Sequence, residues 1–152
     1  MIFNKSGRFI RASYNINDAH IYTTKSYKYL DLIFTHSGEI NTALNDLKDR
    51  ALRAFYKLKL KLGHLLRQDL TTTIALFNAL IKPILLYASD FWGCLKLPKN
   101  NPIQNVQMRF YKEILGVQKQ TCNIGVLFEL GEIPITIYAK KIVLIIISGL
   151  KH

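Results

Sequence analysis

Between residues 39 and 62 the apolar positions recur with a helical period, and no other stretch restricts the fold as strongly. Leu44, Leu47, Ala51, Phe55, Leu58 and Leu62 fall three or four residues apart and share one face of a long amphipathic helix, from about Glu39 to Leu62. Gly63 offers that helix a C-cap. Beside the apolar face run Arg50, Arg53, Lys57 and Lys61, spaced three, four and four apart, as a continuous cationic edge. Such an edge suits a phosphate backbone; a simply solvated face is the plain alternative.

The preceding residues read as β. Asn4-Lys5-Ser6-Gly7 is turn chemistry, Phe9 to Ile16 is rich in β-formers, and Asn17-Asp18 signals a turn. Ile21 to Thr24 is a short strand candidate. Tyr27 to Thr35, dense in aromatic and β-branched residues, is the strongest strand, and His36-Ser37-Gly38 closes it. Along one continuous strand, Tyr27, Tyr29 and Asp31 would point one way and Lys28, Leu30 and Leu32 the other. Lys28 between two tyrosines suits contact with nucleic acid; an ordinary amphipathic edge strand explains the pattern equally well.

After residue 63 the pattern is helical throughout. Asp69 or Thr71 caps a helix carrying Ile74, Phe77, Leu80, Ile81, Ile84 and Leu85, kinked at Pro83 and stopped at Gly93. Apolar residues all round it after Leu80 suggest a central position. Leu97-Pro98-Lys99-Asn100 is a loop. Asn101-Pro102 starts the next helix, with Ile103, Val106, Phe110, Ile114 and Leu115 as its stripe, Met108 and Tyr111 to one side, and Gly116 as its cap. A short helix near Ile124 to Leu130, a break at Gly131 to Pro134 and a last helix from Pro134 follow. The fold class is α+β, mostly α: a small, incomplete N-terminal antiparallel β element, then four to five helices. The expected segments are 1–38, 39–99 and 100–152.

Charge sets the partner class. Twenty-one Lys and Arg against ten Asp and Glu leave +11 with neutral histidine, spread along the chain. That balance favours phosphate backbones, then anionic lipid; solvated lysines are the third explanation. Cys94 and Cys122 form no CxxC and no zinc spacing, which fits a reduced intracellular compartment, cytoplasmic or nuclear. Residues 1–10 hold no apolar leader core. The run Ile142 to Ile147 is too short to span a bilayer and reads as a buried helix or strand, so no membrane partner is expected.

Catalytic constellations are weak. No Asp-Asp, Asp-x-Asp or Asp-x-Glu lies on an expected strand, where metal-dependent polymerases hold their two ions. Asp46 and Asp49 sit on the long helix beside Arg50 and Arg53 as charge partners. Glu129 and Glu132 flank the Gly131 turn, where capping explains them. His20, His36, His64 and His152 are scattered.

Five stretches together resemble LINE-type non-LTR retrotransposon reverse transcriptases. They are Met1 to Arg8; Tyr27-Lys28-Tyr29-Leu30-Asp31-Leu32-Ile33-Phe34; Leu76-Phe77 through Ile81-Lys82-Pro83-Ile84-Leu85-Leu86-Tyr87 to Trp92-Gly93; Val106-Gln107 with Phe110 and Ile114-Leu115-Gly116-Val117; and Thr121, Asn123, Glu129-Leu130-Gly131 with Pro134. They occur in the family's order and cover nearly the whole chain. The resemblance implies the end of the palm with its primer-grip β-hairpin, a helical thumb and the helices that follow. It implies a fragment of an RNA-directed DNA polymerase that contacts a template–primer duplex through Lys28, Tyr29, Arg50, Arg53, Lys57 and Lys61. A palm-bearing reverse transcriptase would be a second partner. The family's Mg2+-binding aspartates have no counterpart here, so no cofactor and no polymerisation by this chain alone are expected. Asp31 stands where the primer grip has Gly, and Phe128 and Glu132 replace the family's Gly and Arg. The rival expectation is a remnant without independent activity, or one dependent on a partner, with open strand edges.

Overall fold

A computed structural model describes residues 1–3, 7–17, 19–63, 69–98 and 100–149. The turn expected at Asn4-Lys5-Ser6, the Asp18 half of the next turn, and His64, Lys99 and His152 lie outside the described residues. Two compact units divide the chain, Met1–Asp46 and Leu47–His152.

The first unit holds two antiparallel hairpins. Strands β1 (Ser13–Ile16) and β2 (Ala19–Tyr22) pair with Ile16 opposite Ala19; β3 (Ser26–Tyr29) and β4 (Leu32–Thr35) pair with Tyr29 opposite Leu32. Helix α1 (Asn41–Leu62) begins in this unit and continues into the second. Thr23 ties the first hairpin to the chain before it: its Oγ1 accepts from Ala12 N–H at 3.1 Å and donates to Ile10 O at 2.9 Å.

Tyr27 to Thr35 is therefore not one strand. Leu30 and Asp31 form a two-residue loop with φ of 44° and 66°, the left-handed pair that joins tightly twisted hairpin strands. Asp tolerates that conformation better than Leu, and Gly best of all. The fold-back changes the faces. Tyr27, Tyr29, Leu32 and Phe34 share one side and Lys28 and Ile33 the other, so Leu32 joins the tyrosines and not Lys28. Leu32 is buried, whereas β1, β2 and β3 are exposed along their length.

In the second unit, α1 buries Leu47, Ala51, Phe55 and Leu58, the stripe read from its periodicity; Leu62 is half-buried. Gly63 has no left-handed φ, so the glycine cap expected there is not formed. Helix α2 (Leu70–Leu76) starts where Asp69 accepts from Thr71 N–H at 2.9 Å. A π-helical turn (Phe77–Ile81) follows, then α3 (Lys82–Leu85). The π turn is the chain's answer to Pro83. Lys82 N–H reaches back to Phe77 O, and the widened ring relieves the crowding that proline imposes one turn upstream. Phe77, Ile81 and Leu85 are fully buried, but Leu80 is 50% exposed. The helix packs by one face and is not central.

That helix also stops before Gly93. Ala88 turns left-handed at φ 52° and a single new turn, α4 (Ser89–Trp92), begins. Trp92 is fully buried and donates its indole N–H to Tyr87 O at 2.8 Å. Gly93, at φ −66°, is the C-cap of α4, its N–H bonded to Ser89 O at 2.8 Å, and is also a contact point. A Cβ there would lie 3.0 Å from Ala139 O and 3.1 Å from Val143 Cγ2 on α7 (Ile135–Gly149).

Helix α5 (Pro102–Ile114) begins as read, with Asn101 accepting from Ile103 N–H at 2.9 Å and Pro102 at its first position. Gly116 at φ 65° closes it: Val117 N–H bonds Lys112 O and Gly116 N–H bonds Glu113 O. Of the expected stripe, Ile103, Val106 and Phe110 are buried, joined by Met108 and Tyr111; Ile114 and Leu115 are half-buried. Rings of Phe55, Phe77, Phe110 and Tyr111 meet at centroid distances of 5.0 Å (Phe55–Phe110), 4.7 Å (Phe77–Phe110) and 5.1 Å (Phe77–Tyr111). Burial of each such side chain stabilises by about 1.5–3 kcal/mol. Helix α6 (Asn123–Glu129) and α7 follow. Buried Gln107 orients the turn between them, donating to Ile133 O at 2.9 Å and accepting from Ile135 N–H at 2.8 Å.

The apolar run near the C-terminus is helical but not buried. Only Ile135 and Ala139 of α7 are fully enclosed, and Leu144, Ile145, Ile146 and Ile147 are 44–65% exposed. Among the described residues, no helix is long and apolar enough to cross a membrane.

Candidate nucleic-acid interface

Lys28 and Tyr29 sit at the end of β3 and, as neighbours on a strand, face opposite sides. Tyr27 and Tyr29 are each 57% exposed and share a face, which leaves two ring planes open to stacking. Lys28 faces the other way and its Nζ lies 2.6 Å from Asp31 Oδ1. Asp31, which stands where the primer grip has Gly, is thus an ion-pair partner of the lysine expected to bind a phosphate. Both side chains are more than half exposed, so the pair adds little stability and is open to exchange with a phosphate.

On α1, Arg53, Lys57 and Lys61 are exposed and Arg50 is half-buried. Helical geometry places them along one flank of the buried stripe, over about 16 Å from Arg50 to Lys61 at 1.5 Å per residue. That length spans several phosphates of a duplex strand. This edge belongs to the second unit and the β3–β4 hairpin to the first. Of the acids of α1, Asp49 lies 3.5 Å from Lys48 Nζ on the same helix.

The opposite flank of α1 carries cationic chemistry that sequence reading missed. Lys59 pairs with Glu113 of α5, and the Arg109 guanidinium lies 5.4 Å from the Tyr56 ring centre. Arg109 and Lys112 fall outside the apolar stripe of α5, three residues apart, and that spacing is the signal in the sequence that marks them. Lys82 Nζ stands 3.4 Å above the Tyr138 ring.

Tyr111, Asp69 and Cys122 are displaced from their ordinary ranges. Burial pushes the Tyr111 hydroxyl far up, and the neighbouring Glu132 carboxylate adds to it. The Thr72 hydroxyl holds Asp69 below the ordinary carboxylate range. Backbone N–H groups of Gly125 and Ile124 lower the Cys122 thiol. Glu132 accepts from Asn78 Nδ2 at 3.3 Å, so its side chain serves the helix packing and not the Gly131 cap. Among the described residues, no three His, Cys, Asp or Glu side chains gather closely enough to hold a metal ion.

Fold and surface together define a small α+β protein with exposed basic and aromatic surfaces. The chain matches no family model, no curated protein and no solved structure.

Proposed function

We propose that this chain is the primer-grip hairpin, thumb and following helices of a LINE-type non-LTR reverse transcriptase, and that it holds a template–primer duplex without extending it. The α1 edge of Arg50, Arg53, Lys57 and Lys61 carries the reading: cations in register along one rigid helix, matched to a repeating phosphate row. The five stretches of sequence resemblance support the family. Tyr29 and Lys28 supply a stacking surface and an exchangeable cation on the hairpin. No metal site and no nucleotide-incorporating step is assigned to any residue here. Contacts of this kind ignore sequence and weaken with salt. Binding of a fluorescent RNA–DNA hybrid should therefore fall steeply between about 50 mM and 200 mM salt. Unchanged affinity over that range would refute the reading.

A second reading is favoured by the exposed row Leu144 to Ile147 and by the fully exposed strands β1 to β3. Such surfaces suit a chain that depends on a palm-bearing partner. Size-exclusion chromatography with circular dichroism separates the two. A cooperative, monodisperse monomer argues for independent folding, and aggregation relieved by the partner argues for dependence.

A further inference from the structure

Along the solvent side of α5 runs a cleft of about 570 Å3, lined by Arg109, Lys112 and Lys119 together with Val117 and the nearly buried Met108. Its acid, Glu113, is already paired with Lys59, so the cations set the sign of the site. Two of the three are held in place. Arg109 rests on the Tyr56 ring, and Lys112 Nζ donates to Lys119 O at 2.8 Å across the Gly116 turn. Cations positioned in advance lose less freedom when an anion arrives. Val117, exposed among the charges, adds an apolar surface, and Asn105 and Asn123 add amide groups.

The volume falls within the roughly 300–1,000 Å3 that encloses one drug-sized molecule, the size class of a single nucleotide. A duplex is too wide to enter. The α1 edge is the reverse, a convex row suited to a duplex and too open to enclose a base. Lys59 and the α5 contact lie on one flank of the α1 stripe, and Lys57 and Lys61 lie on the other.

We infer that the α5 cleft takes an unpaired nucleotide of a single-stranded segment, its phosphate between Arg109 and the two lysines and its base against the exposed Val117 side chain. This rests on the reading of the chain as a nucleic-acid binder, but on a different surface from the one that carries that reading. Planar Arg109 suits a phosphate fork, and the apolar patch gives a base what it would not give an acidic side chain.

The test is fluorescence anisotropy of the full chain with a short single-stranded RNA and, separately, an RNA–DNA hybrid. Arg109→Ala with Lys112→Gln should weaken single-strand binding by about tenfold, two lost phosphate contacts, and leave hybrid binding within about twofold. Lys57→Gln with Lys61→Gln should do the reverse. Lys119→Gln, at an exposed position whose backbone carbonyl keeps the Lys112 contact, should weaken single-strand binding by about threefold and guards against misfolding of the double variant. Single-strand affinity unchanged by both cleft variants overturns the inference. So does wild-type binding of the hybrid alone, of neither ligand, or displacement of the RNA by polyglutamate at equal charge. Cleft-dependent single-strand binding without hybrid binding would sink the duplex reading and uphold the cleft.

Discussion

Lys28 and Asp31 form an ion pair of 2.6 Å across the two-residue loop that joins β3 to β4. The carboxylate occupies a left-handed position, φ 66°, where glycine would fit without strain. Asp31→Gly removes a charge worth ~1 kcal/mol against a phosphate at 4 Å in water. Affinity for an RNA–DNA hybrid at low salt should rise about fivefold, read by anisotropy. No change would mean that the hairpin stays clear of the nucleic acid.

Phe110 touches Phe55 and Phe77 at the centre of the second unit. Phe110→Ala should cost about 3–5 kcal/mol, since packing against α1 and the π turn leaves little room to collapse. Urea unfolding followed by circular dichroism measures it. A loss under about 1 kcal/mol would place the core elsewhere.

Gly93 and Gly125 should respond in opposite directions. A methyl at Gly93 meets α7, so Gly93→Ala should destabilise by about 1–3 kcal/mol through overpacking. Gly125 lies in α6 with nothing within 4 Å of a new Cβ and no positive φ. Gly125→Ala should stabilise by about 0.4–1 kcal/mol. Paired thermal melts give both signs in one experiment.

Asp69 caps α2, and its carboxyl is held low by the Thr72 hydroxyl first. A depressed folded value means that the cap's contribution is present above the ordinary carboxylate range. It is lost as pH falls through the lower folded value. The wild type minus Asp69→Asn difference in melting temperature should therefore shrink towards acid pH. A difference constant from neutral pH down to pH values below that range would show that the charge is irrelevant to the cap.

Where a local rule acts alone, the chain was readable. The α1 stripe follows from period 3.6, the α5 start from Asn101-Pro102, and its end from Gly116. What needed distant partners was not. The β3–β4 turn was hidden because Leu30-Asp31 lacks the Asn-Gly chemistry that usually marks it. The crossing at Gly93 depends on a distant helix, α7, that no short window of sequence contains. The run Ile142 to Ile147 looked buried because hydropathy cannot say whether a covering element exists. Of the site, the α1 edge was visible as spacing, but the Lys28–Asp31 pair and the α5 cleft emerge only once the chain is folded.

Duplex binding depends most on the cationic edge of α1 meeting phosphates. Its sharpest measure is the slope of log affinity against log salt for an RNA–DNA hybrid, wild type against Arg53→Gln/Lys57→Gln/Lys61→Gln. Three lost phosphate contacts should flatten the slope by about 2.7, at roughly 0.9 per neutralised phosphate. An identical slope in the two proteins would contradict the account.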